Sequence, residues 1–235
     1  MQGFELSRDG LSVALPTTAQ RLLTFLAVTA RPVNRLYVAG VLWPDASEAR
    51  ANGSLRSALW RLSRRAPGSI LTNGPRLGLS PRVEVDLYEV VEGAHRMLHG
   101  AVGGGATVSA FDDPLTLAQD LLPDWYDEWL IADRERLRQL QLHALEALSA
   151  RLRCRAEYGS AVEAAQLAVA AEPMRESARR VLIEAHLAEG NVDQAMREFR
   201  HYRDLLEREL GVEPTPMLTE LLPAVQQPAR WHASR

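Results

Sequence analysis

The chain has no lysine. All 27 of its basic residues are arginine, set against 30 acids for a net charge of −3. It has one cysteine, Cys154, which excludes an internal disulfide and leaves too few thiolates for a zinc finger. No apolar run approaches the ~20 residues that a bilayer-spanning helix needs. The opening residues, MQGFELSRDG, lack the basic stretch and apolar block of a signal peptide, so a cytoplasmic protein is expected. Apolar residues make up 46% and charged residues 24%, which excludes a disordered chain, a collagen and a coiled-coil rod. The 235 residues correspond to about one and a half typical domains, hence two domains or one elongated one.

The small net charge hides a division. Residues 1–82 carry 11 arginines against four acids, Glu5, Asp9, Asp45 and Glu48, while residues 83–235 carry 16 arginines against 26 acids. A basic amino-terminal part joined to an acidic remainder points to a polyanion-binding domain followed by one with a different task.

Along the chain, Phe4–Leu15 places two apolar runs around Asp9-Gly10, the signature of a tight hairpin. Thr17 or Thr18 is positioned to cap a helix over 19–30, in which Leu22, Leu23, Leu26 and Ala30 recur every three to four residues and which Arg31-Pro32 ends. A short helix is predicted from Arg35 to Trp43, anchored by Leu36, Leu42 and Trp43, with Ser47 placed to cap the next. The third helix, Glu48–Arg65, gathers Ala51, Leu55, Ala58, Leu59 and Leu62 on one stripe. Gly53, Ser57, Trp60 and Arg64 fall opposite, flanked by Arg56 and Arg61. From Arg50 to Arg65 there are five arginines and no acid. Small residues, Gly53, Ser54 and Ser57, permit close approach to another surface. Short β-runs at Ile70-Leu71, Leu77–Leu79 and Val83–Val85 surround the turn Asn73-Gly74-Pro75. Hairpin, three helices and hairpin, with a basic outward third helix and Arg76 just past the turn, is the layout of a winged helix-turn-helix domain with recognition helix and wing.

From Asp86 the texture is helical: a helix over 87–99, a Gly-rich loop over 100–106, a short helix over 115–122, and a long helix from about Pro123 through Arg138 or beyond. Trp125 and Trp129 read as core residues more readily than as a partner platform. The remainder repeats itself at an offset of 34 residues: Glu157–Ala161 aligns with Asn191–Ala195. Leu148 pairs with Leu182, Leu152 with His186, Ala165 with Phe199, and Ala168 with Tyr202. That is the period of tetratricopeptide repeats, a stack of helix pairs.

Catalytic and metal chemistry find little support. His95 and His99 have a zinc-compatible i, i+4 spacing but no obvious third ligand. Cys154, alone in a helix, is expected to be a small buried hydrophobe. There is no GxSxG elbow, and Gly103-Gly104-Gly105 is not followed by Lys-Ser/Thr, so no P-loop is present. No enzyme, cofactor or metal is expected. The arginine-rich helix has a plainer reading as a solvated surface in an arginine-only chain. The neighbouring hairpin with Arg76, the short preceding helix and the local charge favour nucleic acid.

Residues 19–65 resemble the DNA-binding domain of the Streptomyces antibiotic regulatory protein (SARP) family, which is of the OmpR winged-helix type. The matching segments are Gln20-Arg21-Leu22-Leu23, Arg31-Pro32-Val33 through Leu42-Trp43-Pro44, and Leu55-Arg56-Ser57-Ala58-Leu59 through Arg65. The stretches DLLPDWYDEWLIADRERLRQLQLHALEAL and ELGVEPTPML are similar to the bacterial transcriptional activator domain that accompanies it. The resemblance extends to about Leu222 and is to the small members of the family. It implies a mainly α protein: a winged helix-turn-helix domain over 1–85 with small hairpins, then an all-α, tetratricopeptide-like activator domain over 86–235 with a poorly ordered tail after about 223. It further implies a transcriptional activator of a secondary-metabolite gene cluster that binds direct repeats of double-stranded DNA near promoters. It would recruit RNA polymerase holoenzyme and form a homodimer at least on DNA, with no membrane partner. On that reading Arg56, Ser57, Trp60, Arg61 and Arg64 reach bases or phosphates in the major groove. Asn52, Ser54 and the helix N-terminus hold phosphates, and Arg76 enters or flanks the minor groove. A repressor, or a repeat-type adaptor whose basic domain docks an acidic protein, are the alternatives.

Overall fold

A computed structural model describes residues 3–99 and 113–221. The Gly-rich segment 100–106 and the tail after about 223 lie outside the described residues. The chain groups into two units: residues 1–89 with 120–137, and residues 90–119 with 138–235. Among the described residues no helix is long and apolar enough to cross a membrane.

The first unit opens with a two-stranded hairpin, β1 (Ser7–Arg8) and β2 (Leu11–Ser12). Asp9 and Gly10 both take positive φ, 51° and 76°, as a tight primed turn requires. Helix α1 (Thr17–Thr29) follows. Its N-cap is Pro16 rather than a threonine, and no side chain caps it. It ends at Ala30, left-handed with φ 53°, whose N–H bonds the Leu26 carbonyl. Next come β3 (Val33–Asn34), α2 (Arg35–Leu42) and α3 (Glu48–Arg65). Asn34 caps α2 by accepting from the Leu36 amide at 2.9 Å. Leu36 itself is 58% exposed: it sits in the first turn, and the helix turns Val38, Ala39 and Leu42 inward instead.

Strands β4 (Ile70–Asn73) and β5 (Arg76–Leu79) form the second hairpin, and β3 pairs with the free edge of β5, giving the order β3-β5-β4. Val83–Val85 is not a strand: the chain leaves β5 through a turn at Pro81-Arg82, where the Val83 N–H donates to the Ser80 carbonyl at 3.0 Å. The core joins Leu15, Leu22, Leu26, Val38, Leu42, Leu55, Leu62 and Leu77. The returning segment 120–137 packs on it through two tryptophans. Trp129 meets Phe25 edge-on at 5.3 Å and Trp125 stacks on Phe4 at 6.2 Å. The Asp127 Oδ1 accepts from Arg21 Nε at 2.8 Å and from the Trp129 indole N–H at 3.1 Å.

Helix α4 (Asp86–His99) leads out of this unit, and α5 (Pro114–Leu117) is a single turn. The long helix, α6, runs Glu128–Cys154. It starts later than Pro123 because Leu122 is left-handed, with φ 48°, and 123–127 is not helical. Three further helices, α7 (Tyr158–Ala171), α8 (Glu176–Glu189) and α9 (Val192–Leu210), and the short α10 (Pro216–Thr219) complete the second unit. Helices α7 and α9 begin at positions that differ by the 34-residue offset, Tyr158 and Val192. All four residue pairs aligned by the repeat are buried. Ala156 and Gly190, also equivalent, are both left-handed, with φ 60° and 89°. Cys154 is exposed rather than buried: it is the last residue of α6, directly before the turn at Arg155-Ala156.

Candidate nucleic-acid interface

Helix α3 buries Ala51, Leu55, Ala58 and Leu62. Leu59 is half-buried against the same core. Because these residues recur every three or four positions, the opposite face is left to solvent. There Arg56, Ser57, Trp60, Arg61 and Arg64 are exposed, as is Arg65, whereas Asn52 and Ser54 are half-buried near the start of the helix. Arg76 is exposed as the first residue of β5, paired in register with Asn34. The structure thus places every residue assigned to DNA from sequence on one helix, apart from Arg76 on the hairpin of the same unit.

Two details shape the exposed face. Trp60 is 60% exposed, and the Arg64 guanidinium lies 5.2 Å from the centroid of its ring. This cation–π stack restrains an otherwise free arginine fork. Gly53 costs the helix about 1 kcal/mol relative to alanine, yet nothing in the fold requires it. An added Cβ would meet only the flexible end of Arg56, at 3.8 Å.

The arginines of α3 differ in their partners from Arg21 of the same unit, which pairs with Asp127, and from many arginines of the second unit. In the second unit Arg138, Arg153, Arg175, Arg179 and Arg180 pair with Glu172, Glu184, Glu146, Glu198 and Glu184. Arg197, Arg203 and Arg208 also have carboxylates. On α3, among the described residues, Arg50, Arg56, Arg61, Arg64 and Arg65 have none; their polar contacts are to hydroxyls, Arg50 to Ser47 and Arg61 to Thr18. Like charges one turn apart, such as Arg61 and Arg65, weaken an isolated helix by a few tenths of a kcal/mol. The face therefore carries a positive charge that the fold does not neutralise.

Sequence reasoning missed Arg31 and Tyr37, which line a cleft with Arg76. Arg31 reads as a helix stop, and only the pairing of β3 with β5 brings it near the wing. His95 and His99 do adjoin on α4, with ring centroids 6.1 Å apart, and among the described residues no third ligand joins them.

A family model described as the bacterial transcriptional activator domain matches residues 89–226. Comparison with curated proteins finds no match to the chain. Among solved structures, the chain is similar to Mycobacterium tuberculosis EmbR in complex with a low-affinity phosphopeptide. The TM-score is 0.71 at 19% identity, covering 93% of this chain and 62% of that one. At that identity the likeness is one of fold, a mainly helical architecture with small antiparallel strands, and the chain spans 62% of the EmbR chain's length.

Proposed function

The chain belongs to the bacterial transcriptional activator domain family, and from that premise we propose that it is a sequence-specific DNA-binding activator of a secondary-metabolite gene cluster. The observation that carries the DNA-binding half is the exposed face of α3, whose arginines, among the described residues, lack carboxylate partners, while eight arginines of the second unit have them. Helix α3 enters the major groove. Arg56, Arg61 and Arg64 present forks suited to guanine O6 and N7, each good pair worth roughly 1–3 kcal/mol. Ser57 and Trp60 contact bases alongside them, with Trp60 suited to a thymine methyl. Asn52 and Ser54 hold phosphates near the helix start, and Arg76 reaches the minor groove. Gly53 lets the helix backbone come close. The acidic remainder of the chain is repelled by DNA and is assigned to protein contacts: RNA polymerase holoenzyme, and a second copy on adjacent direct repeats. No catalytic step or cofactor enters this reading, and its setting is the cytoplasm.

The test is a footprint and gel shift of the purified chain on promoter fragments from its own genomic neighbourhood, at two salt concentrations. Protection of two short repeats about one helical turn apart, weakened by salt but surviving competitor DNA, is expected. Diffuse, competitor-sensitive binding would refute a sequence reader and favour an adaptor that docks an acidic protein. A fall in transcription from the protected promoter would make the protein a repressor.

A further inference from the structure

Where β3 pairs with β5, a cleft of about 280 Å³ opens, lined by Arg31, Pro32, Val33, Asn34, Tyr37 and Arg76. Of its lining residues Val33 is buried, and the polar ones that form its rim, Arg31, Asn34, Tyr37 and Arg76, are all exposed. Among the described residues neither Arg31 nor Arg76 has a carboxylate partner. The Asn34 side-chain oxygen is engaged by the Leu36 amide, which leaves the Asn34 NH2 group to donate. The hairpin turn is held against this rim: the Arg35 N–H donates to the Pro75 carbonyl at 2.8 Å. The rim offers two guanidinium forks, an amide and a phenol, with no carboxylate. Such a donor set selects an anion with several acceptor oxygens, and arginine forks match phosphate best.

We propose that this cleft seats one phosphodiester group of the DNA backbone, a contact separate from those made by α3. The proposal rests on the DNA-binding reading above. A chain-borne phosphate fits better than a free one. A small ligand needs a site that buries most of its surface, whereas here the rim residues stand open to solvent. A duplex phosphate needs only one side covered, and Arg76 belongs to the hairpin already assigned to the neighbouring groove. Arg31 and Tyr37 then fix how the wing sits on the duplex without reading sequence.

The test uses the full chain and a mixed-sequence 30-base-pair duplex, with binding followed by fluorescence anisotropy as salt rises from 50 to 200 mM. Each phosphate neutralised contributes a slope of about −0.9 in log affinity against log salt. Arg31→Gln should flatten the slope by about that amount, so that it loses roughly three- to fourfold less affinity over this range than the parent. Arg82→Gln removes the same charge from an exposed site outside the cleft and should keep the parent slope. Arg56→Gln reports α3. If Arg56→Gln flattens the slope and Arg31→Gln does not, the cleft is refuted and the DNA reading stands. Equal flattening in Arg82→Gln would assign the effect to net charge and overturn the cleft. No binding of the parent chain to duplex would overturn both. Titration with inorganic phosphate, followed by nuclear magnetic resonance, separates the two phosphate sources: micromolar binding lost in Arg31→Gln, with the DNA slope unchanged, would make this a free-anion site and overturn the proposal.

Discussion

Asp127→Ala is expected to destabilise the first unit by roughly 2–3 kcal/mol. One carboxylate oxygen of Asp127 accepts from Arg21 Nε at 2.8 Å, Arg21 Nη2 at 2.5 Å and Trp129 Nε1 at 3.1 Å. The two charged side chains are 25% and 17% exposed. That places the pair between a surface ion pair, worth up to about 1 kcal/mol, and a fully buried one, whose rupture costs about 3–5 kcal/mol. Alanine leaves both the guanidinium and the indole N–H without their acceptor. Asp127→Asn keeps an oxygen and loses the charge, so about half the effect is expected. Urea unfolding followed by tryptophan fluorescence reads this directly, because Trp43, Trp60, Trp125 and Trp129 all lie in the first unit. A cycle with Arg21→Ala should show coupling of about 1–2 kcal/mol. A loss below about 0.5 kcal/mol in Asp127→Ala, or strict additivity with Arg21→Ala, would refute the argument and leave segment 120–137 held by its tryptophans alone.

Arg56→Ala and Arg64→Ala should each weaken promoter binding by about 1–3 kcal/mol while leaving thermal unfolding unchanged, since both side chains are exposed; full affinity in both would remove α3 from its role. Ala156→Gly should raise stability by about 0.5–1 kcal/mol and Gly190→Ala lower it by about 1 kcal/mol, because both positions hold positive φ. Urea midpoints moving in the opposite sense would contradict this. The Tyr202 phenol is shifted upward, first by burial and then by the Glu176 carboxylate, against a smaller opposing pull from Arg179. The fold thus favours the neutral phenol. Its contribution is fully present below the ordinary tyrosine range, about 10, and is lost as pH climbs through the raised value. Tyr202→Phe, which also gives up the hydrogen bond to the Met174 carbonyl, should flatten that alkaline loss in unfolding measured between pH 8 and 11. An unchanged profile would show that Tyr202 does not set it.

What the sequence made legible was periodic. Helix α3 spans Glu48–Arg65, as its apolar stripe and the flanking Pro44 and Pro67 indicate, and its basic face is the solvent face. The 34-residue offset survives in the structure down to the paired left-handed residues Ala156 and Gly190. What stayed hidden depends on distant partners. Strand β3 is two residues long and is a strand only because β5 offers it an edge. The Leu36 side chain reads as an anchor until the cap at Asn34 fixes which way the first turn of α2 faces. The Arg21–Asp127 pair and the cleft at Arg31 join residues that no local pattern links.

The discontinuity of the first unit has a consequence for biosynthesis. Its three helices and wing are complete in the nascent chain by residue 89, but Trp125, Asp127 and Trp129 belong to it as well. At a synthesis rate of about 5–20 residues per second, the stretch up to Leu137 takes roughly 2–10 s more. Over that interval Phe4 and Phe25 lack the tryptophans that cover them in the finished fold, and Arg21 lacks its carboxylate. Closure of the amino-terminal fold is thus timed by translation of a later segment, and the order of synthesis makes this the last part of that unit to be secured.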